Sequence, residues 1–202
     1  MSQNYKRKDH LHQRAKSEGL RSRAAYKLRE LDSKYGLFKR GGTVLDLGAW
    51  PGGWLQIAAE KVGATGSVLG VDLVALEDIS LANVTTLVGN AGDDEIMAQI
   101  RCFAPGGFSV VLSDMSPKLT GIREADQAGV AHVVELAWFV AEQVLATGGH
   151  FVAKVFPGPE TDGFVQNLRP AFTKVTRTEL KSSRTTSKES YIIGLQRRPI
   201  GA

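Results

Sequence analysis

At 202 residues, 43% of them hydrophobic, the chain is long enough for one domain with a full core and too apolar for a disordered one. Its one cysteine, Cys102, rules out an internal disulfide or a cysteine metal cluster, and no apolar run or leader pattern marks a membrane span or export, so a cytoplasmic protein without a structural metal is expected. The net charge of +4 conceals an acidic body between two basic ends: residues 1–40 hold twelve Lys/Arg against four Asp/Glu, residues 168–202 eight against two, and the middle five against fifteen. Such ends are usually solvated faces, but around a cofactor domain they favour a polyanionic substrate.

Residues 1–21 are polar and basic and are expected to form a flexible arm ahead of a single domain over 22–202. Asp9, Glu18 and the lack of an apolar face argue against a mitochondrial leader. His10 and His12 in such a tail are read as exposed rather than metal-binding. From Ser22 to Phe38 the spacing predicts a helix, capped by Ser22, with Ala25, Leu28, Leu31 and Tyr35 on its apolar side. Arg21, Arg23, Lys27 and Arg29 gather near its start. Strands are then expected at 43–47, 67–72, 84–88, 108–113 and 149–155, and helices at 54–62, 93–103, 123–146 and 160–169. This alternation predicts an α/β fold, a doubly wound and mostly parallel sheet with helices on both faces. Apolar runs at 172–180 and 189–196, separated by the loop 181–188, predict an antiparallel hairpin that completes a seven-stranded sheet.

The stretch from Thr43 to Trp54 organises the chain. An apolar strand passes through Asp46 into the turn Gly48-Ala49-Trp50-Pro51-Gly52-Gly53-Trp54, which opens a helix. Glycines let a ligand approach the backbone, and a helix start offers unpaired N–H groups, at a preferred cofactor site of doubly wound sheets. The spacing is not G-x-G-x-x-G, so the dinucleotide fingerprint is absent. Asp46 would repel a pyrophosphate yet hold an ammonium group, while Asp72, ending the next strand, can accept ribose hydroxyls. Two acids around a cationic, ribose-bearing ligand favour S-adenosylmethionine over NAD. The bland alternative is a glycine turn with two solvated or capping aspartates. An antiparallel finish to the sheet also suits Rossmann-like class I methyltransferases better than dehydrogenases.

Three later segments carry possible chemistry. An apolar strand delivers Asp114 to its carboxyl end. Lys154 lies between Phe151-Val152-Ala153 and Val155-Phe156, where an unpaired ammonium is costly to bury and must find an acid or a cleft. Asp114 sits at the matching end of the strand expected beside it; a buried ion pair joining two strands is the structural alternative. Glu189 opens the last strand.

With S-R-A-A-Y-K-L (22–28), D-L-G-A-W-P-G-G-W (46–54), G-V-D-L (70–73), D-M-S-P (114–117), K-V-F (154–156) and S-K-E-S-Y (187–191), the chain from about Ser22 to Arg197 resembles the FtsJ/RrmJ (RlmE) family of ribosomal RNA 2′-O-ribose methyltransferases. The resemblance implies a Lys-Asp-Lys-Glu tetrad at Lys27, Asp114, Lys154 and Glu189. It implies S-adenosylmethionine contacts at Asp46, Gly48, Pro51, Gly52, Gly53, Trp54, Asp72, Leu73, Asn90 and Asp114. The implied reaction is methylation of a ribose 2′-hydroxyl, a uridine of 23S rRNA in the large ribosomal subunit, during ribosome biogenesis, by a monomer. The RNA would lie along the basic helix and the C-terminal segment, with phosphate contacts expected at Arg21, Arg23, Arg29, Lys181, Arg184 and Lys188. Two departures from the family pattern stand out: Trp50 precedes Pro51 where an alanine is usual, and Asn90 replaces an aspartate. Alternatives are a tRNA 2′-O-methyltransferase, a non-catalytic RNA-binding assembly factor that keeps the cofactor fold, and a nicotinamide oxidoreductase.

Overall fold

The computed structural model describes residues 10–117, 123–183 and 187–199. Seven strands form one sheet: β1 (Thr43–Leu47), β2 (Ser67–Asp72), β3 (Val84–Val88), β4 (Phe108–Ser113), β5 (Leu145–Val155), β6 (Phe172–Thr178) and β7 (Ser190–Arg197). Their order is β3-β2-β1-β4-β5-β7-β6. Strands β1 to β5 pair in parallel, and β7 enters antiparallel between β5 and β6. The hairpin expected from the sequence is present, but its second strand is the inner one and β6 forms the sheet edge. Strand order reverses between β2 and β4 on either side of β1, which opens a crevice at the carboxyl ends of β1 and β4.

Helices α2 (Ala24–Tyr35) and α3 (Gly53–Val62) cover one face; α4 (Asp94–Phe103), α5 (Arg123–Val144) and α6 (Pro159–Leu168) belong to the other. Two cores follow. Leu28, Leu31, Leu55 and Ile57 pack with Val44, Val68, Val110, Val152 and Ile193. Ile100, Ala137, Val140 and Leu168 pack with Leu45, Leu69, Val111, Phe151 and Ile192. Each fully buried Leu or Ile contributes about 1.5–3 kcal/mol relative to exposure.

The period of two along the strands decides where the polar residues go. Val44, Val68, Val110 and Val152 face α2 and α3, so Asp46, Asp72, Asp114 and Lys154, each an even number of residues further on, share that side at the strand ends. In β7, Tyr191 is on the same side as Ile193, and antiparallel pairing sets Tyr191 opposite Lys154.

Differences from the sequence expectations are local. Within the span expected as an arm, His10–Ser17 form a helix, α1, because Ala15 is buried and Arg14 bridges to Glu18 and lies 5.2 Å from the centroid of the Tyr26 ring. The helix expected over 22–38 is shorter, Ala24–Tyr35. Ser22 is not its cap: Arg23 holds that position, and the buried Ser22 hydroxyl, with no hydrogen-bond partner, lies against Gly53. The helix closes on Gly36 in the left-handed conformation, whose N–H returns to the Asp32 carbonyl. Strand β5 begins at Leu145 and accommodates its glycines at an irregularity between Phe108 and Val110 of its neighbour. Glu189 lies just outside β7 rather than opening it.

Candidate functional site

A cavity of about 460 Å³ opens at the carboxyl ends of β1, β2 and β4. Gly48, Asp72, Leu73, Asn90 and Asp114, all expected as cofactor contacts, line it, together with Trp50, Met115, His132 and Leu136, which were not expected. Trp50 lines the cavity while 57% exposed, so it forms part of the rim. Asp72 is held for its position: its two carboxylate oxygens accept the Trp50 and Val74 N–H groups, each at 2.9 Å. The Asn90 side-chain oxygen accepts the Gly92 N–H at 3.0 Å, an Asx-type turn that leaves its amide donors for the cavity. At Gly48, with φ of +77°, a Cβ would stand 2.6 Å from the Met115 side chain, so only glycine allows that approach.

Five other expected contacts do not line the cavity. Trp54 is buried; its indole N–H donates to the Ala24 carbonyl at 2.8 Å and its ring lies 5.9 Å from that of Tyr191, so it supports α2 and β7. Pro51, Gly52 and Gly53 form the turn beneath the N-terminal segment, Gly52 under Arg21 and Ile79, Gly53 against Ser22. Asp46 is 1% exposed, and neither of its carboxylate oxygens has a hydrogen-bond partner. Burial, then the charges of Asp114 and Asp72, pushes its carboxyl well above the ordinary range. Three carboxyl groups therefore converge on the strand ends, and their mutual repulsion is relieved only in part, by the shift of Asp46 toward its neutral form and by Lys154 beside Asp114. A ligand bearing a sulfonium and an ammonium would answer the charge that remains, and Asp72 on the rim suits a ribose. These residues thus fit S-adenosylmethionine.

Beside the cavity the four expected tetrad residues come together as two ion pairs. Lys154 lies 3.3 Å from an Asp114 carboxylate oxygen and donates to the Asp114 carbonyl at 2.6 Å. Lys27 on α2 lies 2.5 Å from Glu189. Tyr191 joins the pairs: its hydroxyl donates to Asp114 at 2.8 Å and its ring centroid is 5.9 Å from the Lys27 ammonium. Burial works against charge on Glu189, but hydrogen bonds from Lys27 and Ser183 outweigh it and hold the carboxyl below its ordinary value. Burial, then the Asp114 and Glu189 charges, raises the Tyr191 phenol well above its usual range, so it is a hydrogen-bond donor at neutral pH. Tyr191 stands in the sequence pattern at two residues from Glu189, which is the signal that would have found it.

The basic face expected to grip RNA is largely engaged within the protein. Arg23, Lys27, Glu30 and Lys34 recur on one side of α2. Arg23 donates to the Ser182 carbonyl at 2.7 Å, Glu30 accepts the Lys181 and Ser182 N–H groups and the Ser182 hydroxyl, and Lys34 donates to Thr178. This row therefore docks the β6–β7 loop that delivers Glu189. Arg29 pairs with Glu18 and Glu60, and Arg21 donates to the carbonyls of Pro51, Glu77 and Asp78. Sequence reasoning counted the cations but could not see their internal acceptors. The side chains of Lys181 and Lys188 are exposed on the loop beside the tetrad, and Arg184 lies outside the described residues. Among the described residues no group of His, Cys, Asp or Glu side chains is placed to hold a metal ion, and no helix is long and apolar enough to cross a membrane.

Comparison with known proteins gives consistent matches. The family model described as FtsJ-like methyltransferase matches residues 20–197. A ribosomal RNA large subunit methyltransferase E from Coxiella burnetii is 44% identical over 191 residues, covering 92% of this chain and 89% of that one. One of the same description from Halorubrum lacusprofundi is 41% identical over 198 residues, covering 96% and 74%. The crystal structure of a ribosomal RNA methyltransferase from Plasmodium falciparum superimposes with a TM-score of 0.77 at 27% identity, covering 88% of this chain and 98% of that one.

Proposed function

The chain belongs to the FtsJ-like methyltransferase family, and from that premise we propose that it transfers a methyl group from S-adenosylmethionine to a ribose 2′-hydroxyl of ribosomal RNA, a uridine of the 23S rRNA in the large subunit. The observation that carries this reading is the meeting of Lys27–Glu189 and Lys154–Asp114 around Tyr191, with Asp114 also lining the cavity. When bound, S-adenosylmethionine supplies an electrophilic methyl group on a positively charged sulfur. Asp46 and Asp72 are assigned to its cationic and ribose parts, and Leu73 and Asn90 to the adenine side.

The residues of this chain have separable tasks. Lys154 is assigned to the attacking ribose oxygen. Two of its amine positions face the Asp114 carbonyl and carboxylate, and the third is left for the ribose oxygen, where the ammonium balances the negative charge that develops as the hydroxyl proton passes to solvent water and the oxygen takes the methyl group. Asp114 fixes that amine and is itself fixed by Tyr191. Lys27 and Glu189 orient the ribose from the other side. Holding both reactants in line supplies the remaining rate gain, and it needs no metal. Lys181 and Lys188 are assigned to phosphates of the incoming strand, whose target nucleotide must be splayed out for its sugar to enter.

The test is methyl transfer from isotope-labelled S-adenosylmethionine to purified large ribosomal particles, followed by nuclease digestion and mass spectrometry of the nucleosides. A 2′-O-methylated uridine from 23S rRNA is the expected product. A base-methylated nucleoside, methylation of tRNA alone, or no transfer by a protein that binds the particles would each overturn the reading.

A further inference from the structure

Arg21 stands among the residues that the charge pattern marks for RNA, yet its surroundings give it another task. Its main chain is fixed first: the Arg21 N–H donates to the Gln56 side-chain oxygen at 2.8 Å, while the Gln56 amide donates to the Gly19 carbonyl at 3.0 Å. The segment entering α2 is thereby tied to α3, the helix that follows the glycine turn. The side chain then crosses that turn, and a Cβ on Gly52 would come within 2.9 Å of the Arg21 Cδ. The guanidinium ends on main-chain carbonyls of two different segments. It donates to Pro51 at 3.4 Å on the turn, and to Glu77 at 3.0 Å and to Asp78 on the β2–β3 loop.

These bonds close a ring. Pro51 follows Trp50, whose N–H donates to Asp72; Asp72 also accepts the Val74 N–H; and Val74 leads into the loop that returns to Arg21 at Glu77 and Asp78. Residues 73–83 carry no helix or strand, so the Glu77 and Asp78 carbonyls have no ladder to join. A planar guanidinium with donors on both arms can bridge two such segments, which a single ammonium cannot do with the same geometry. Trp50, Asp72 and Leu73, all on this ring, line the cavity.

We propose that Arg21 is a positioning residue for the cofactor: it fastens the β2–β3 loop to the glycine turn, preforming the side of the cavity that takes the adenosine ribose, and it does not grip RNA. The proposal rests on the reading that the cavity holds S-adenosylmethionine. A loop ordered before binding spares the ligand the entropy of ordering it, so the loss of Arg21 falls on affinity for the cofactor and not on the reacting groups.

The experiment compares the full-length wild type with Arg21→Ala and Arg21→Lys. S-adenosylmethionine binding is measured by calorimetry, backbone amide exchange over residues 74–80 in the cofactor-free protein, and binding of an rRNA fragment across a salt series. For Arg21→Ala the expected result is a Kd for the cofactor at least tenfold higher, faster exchange over 74–80, kcat at saturating cofactor within about twofold, and an unchanged salt slope for RNA. Arg21→Lys is expected to fall between, and it carries the test if the alanine variant does not fold. An unchanged cofactor Kd, or unchanged exchange, overturns the proposal. So does an RNA salt slope shallower by about one, the mark of a lost phosphate contact. A wild type that does not bind S-adenosylmethionine removes the underlying reading, and the proposal with it; a wild type that binds beside variants that bind equally removes the proposal alone.

Discussion

Replacing Tyr191 by phenylalanine isolates the bond that joins the two halves of the site. The ring is fully buried, packs beside Trp54 and stands near Lys27, and all of that survives the substitution. What is lost is one hydroxyl that donates to Asp114 at 2.8 Å. A hydrogen bond to a charged acceptor contributes about 1.5–3 kcal/mol. The Asp114 side chain is 19% exposed, so water replaces part of the lost bond and the lower half of that range applies, about 2 kcal/mol. For a chain of this length that lowers Tm by roughly 4–8 °C. If the same bond holds Asp114 against Lys154 during the reaction, kcat falls by roughly one to two orders of magnitude, since about 1.4 kcal/mol corresponds to a factor of ten. The assays are thermal melting and single-turnover methyl transfer, the melting combined in a cycle with Asp114→Ala, which leaves no side-chain acceptor for the hydroxyl. The Tyr191→Phe change should cost markedly less stability in the Asp114→Ala background than in the wild type, because the bond it removes is already gone. Strict additivity, or a Tyr191→Phe protein as stable and as active as wild type, would refute the bridging role.

Other outcomes follow from the same geometry. Folded Asp46 holds a proton that the unfolded chain releases above about pH 3.9, so it makes stability fall as pH rises from there through its raised folded value; Asp46→Asn should flatten that slope and raise the neutral-pH Tm of the cofactor-free protein while weakening S-adenosylmethionine binding, and melts from pH 4 to 9 that show identical slopes would contradict this. Glu30→Ala removes the acceptor of three hydrogen bonds from Lys181 and Ser182; amide exchange at both residues should accelerate and kcat should fall about tenfold with cofactor affinity intact, whereas unchanged kcat would mean that the loop positions Glu189 without α2. Lys154→Met should reduce methyl transfer by at least about a thousandfold and leave calorimetric cofactor binding in place, and substantial residual transfer would end its assignment to the attacking oxygen. Lys181→Ala and Lys188→Ala should each lower the RNA salt slope by about one without changing cofactor affinity; a slope that stays put in both would move the RNA to another face.

How much of this was legible beforehand differs from residue to residue. The positions of Asp46, Asp72, Asp114 and Lys154 at or near strand ends followed from short apolar runs that carry a charge at, or one residue either side of, their last residue, because such runs have few other ways to fold. Parity within each strand then sends these side chains to one face. The engagement of Arg21, Arg23 and Lys34 was not legible, since a cation's partner here is a main-chain carbonyl or hydroxyl up to 159 residues away, and every sequence supplies carbonyls everywhere. Trp54 is a related case: the resemblance implied a cofactor contact there, and only the packed structure shows its indole N–H turned to Ala24. Tyr191 carried a weak signal, two residues from Glu189, that pairing with β5 made meaningful.

The amino-acid sequence by itself determined the alternation of strands and helices, the glycine turn after β1, and the set of charged groups at the strand tips, because local periodicity and backbone freedom act over a few residues. Tertiary structure alone decided that β7 lies inside β6, that Lys27 meets Glu189, and which arginines face inward. Those outcomes depend on pairings between distant segments, where burial leaves each polar group to find whatever partner the packed chain brings within about 3 Å.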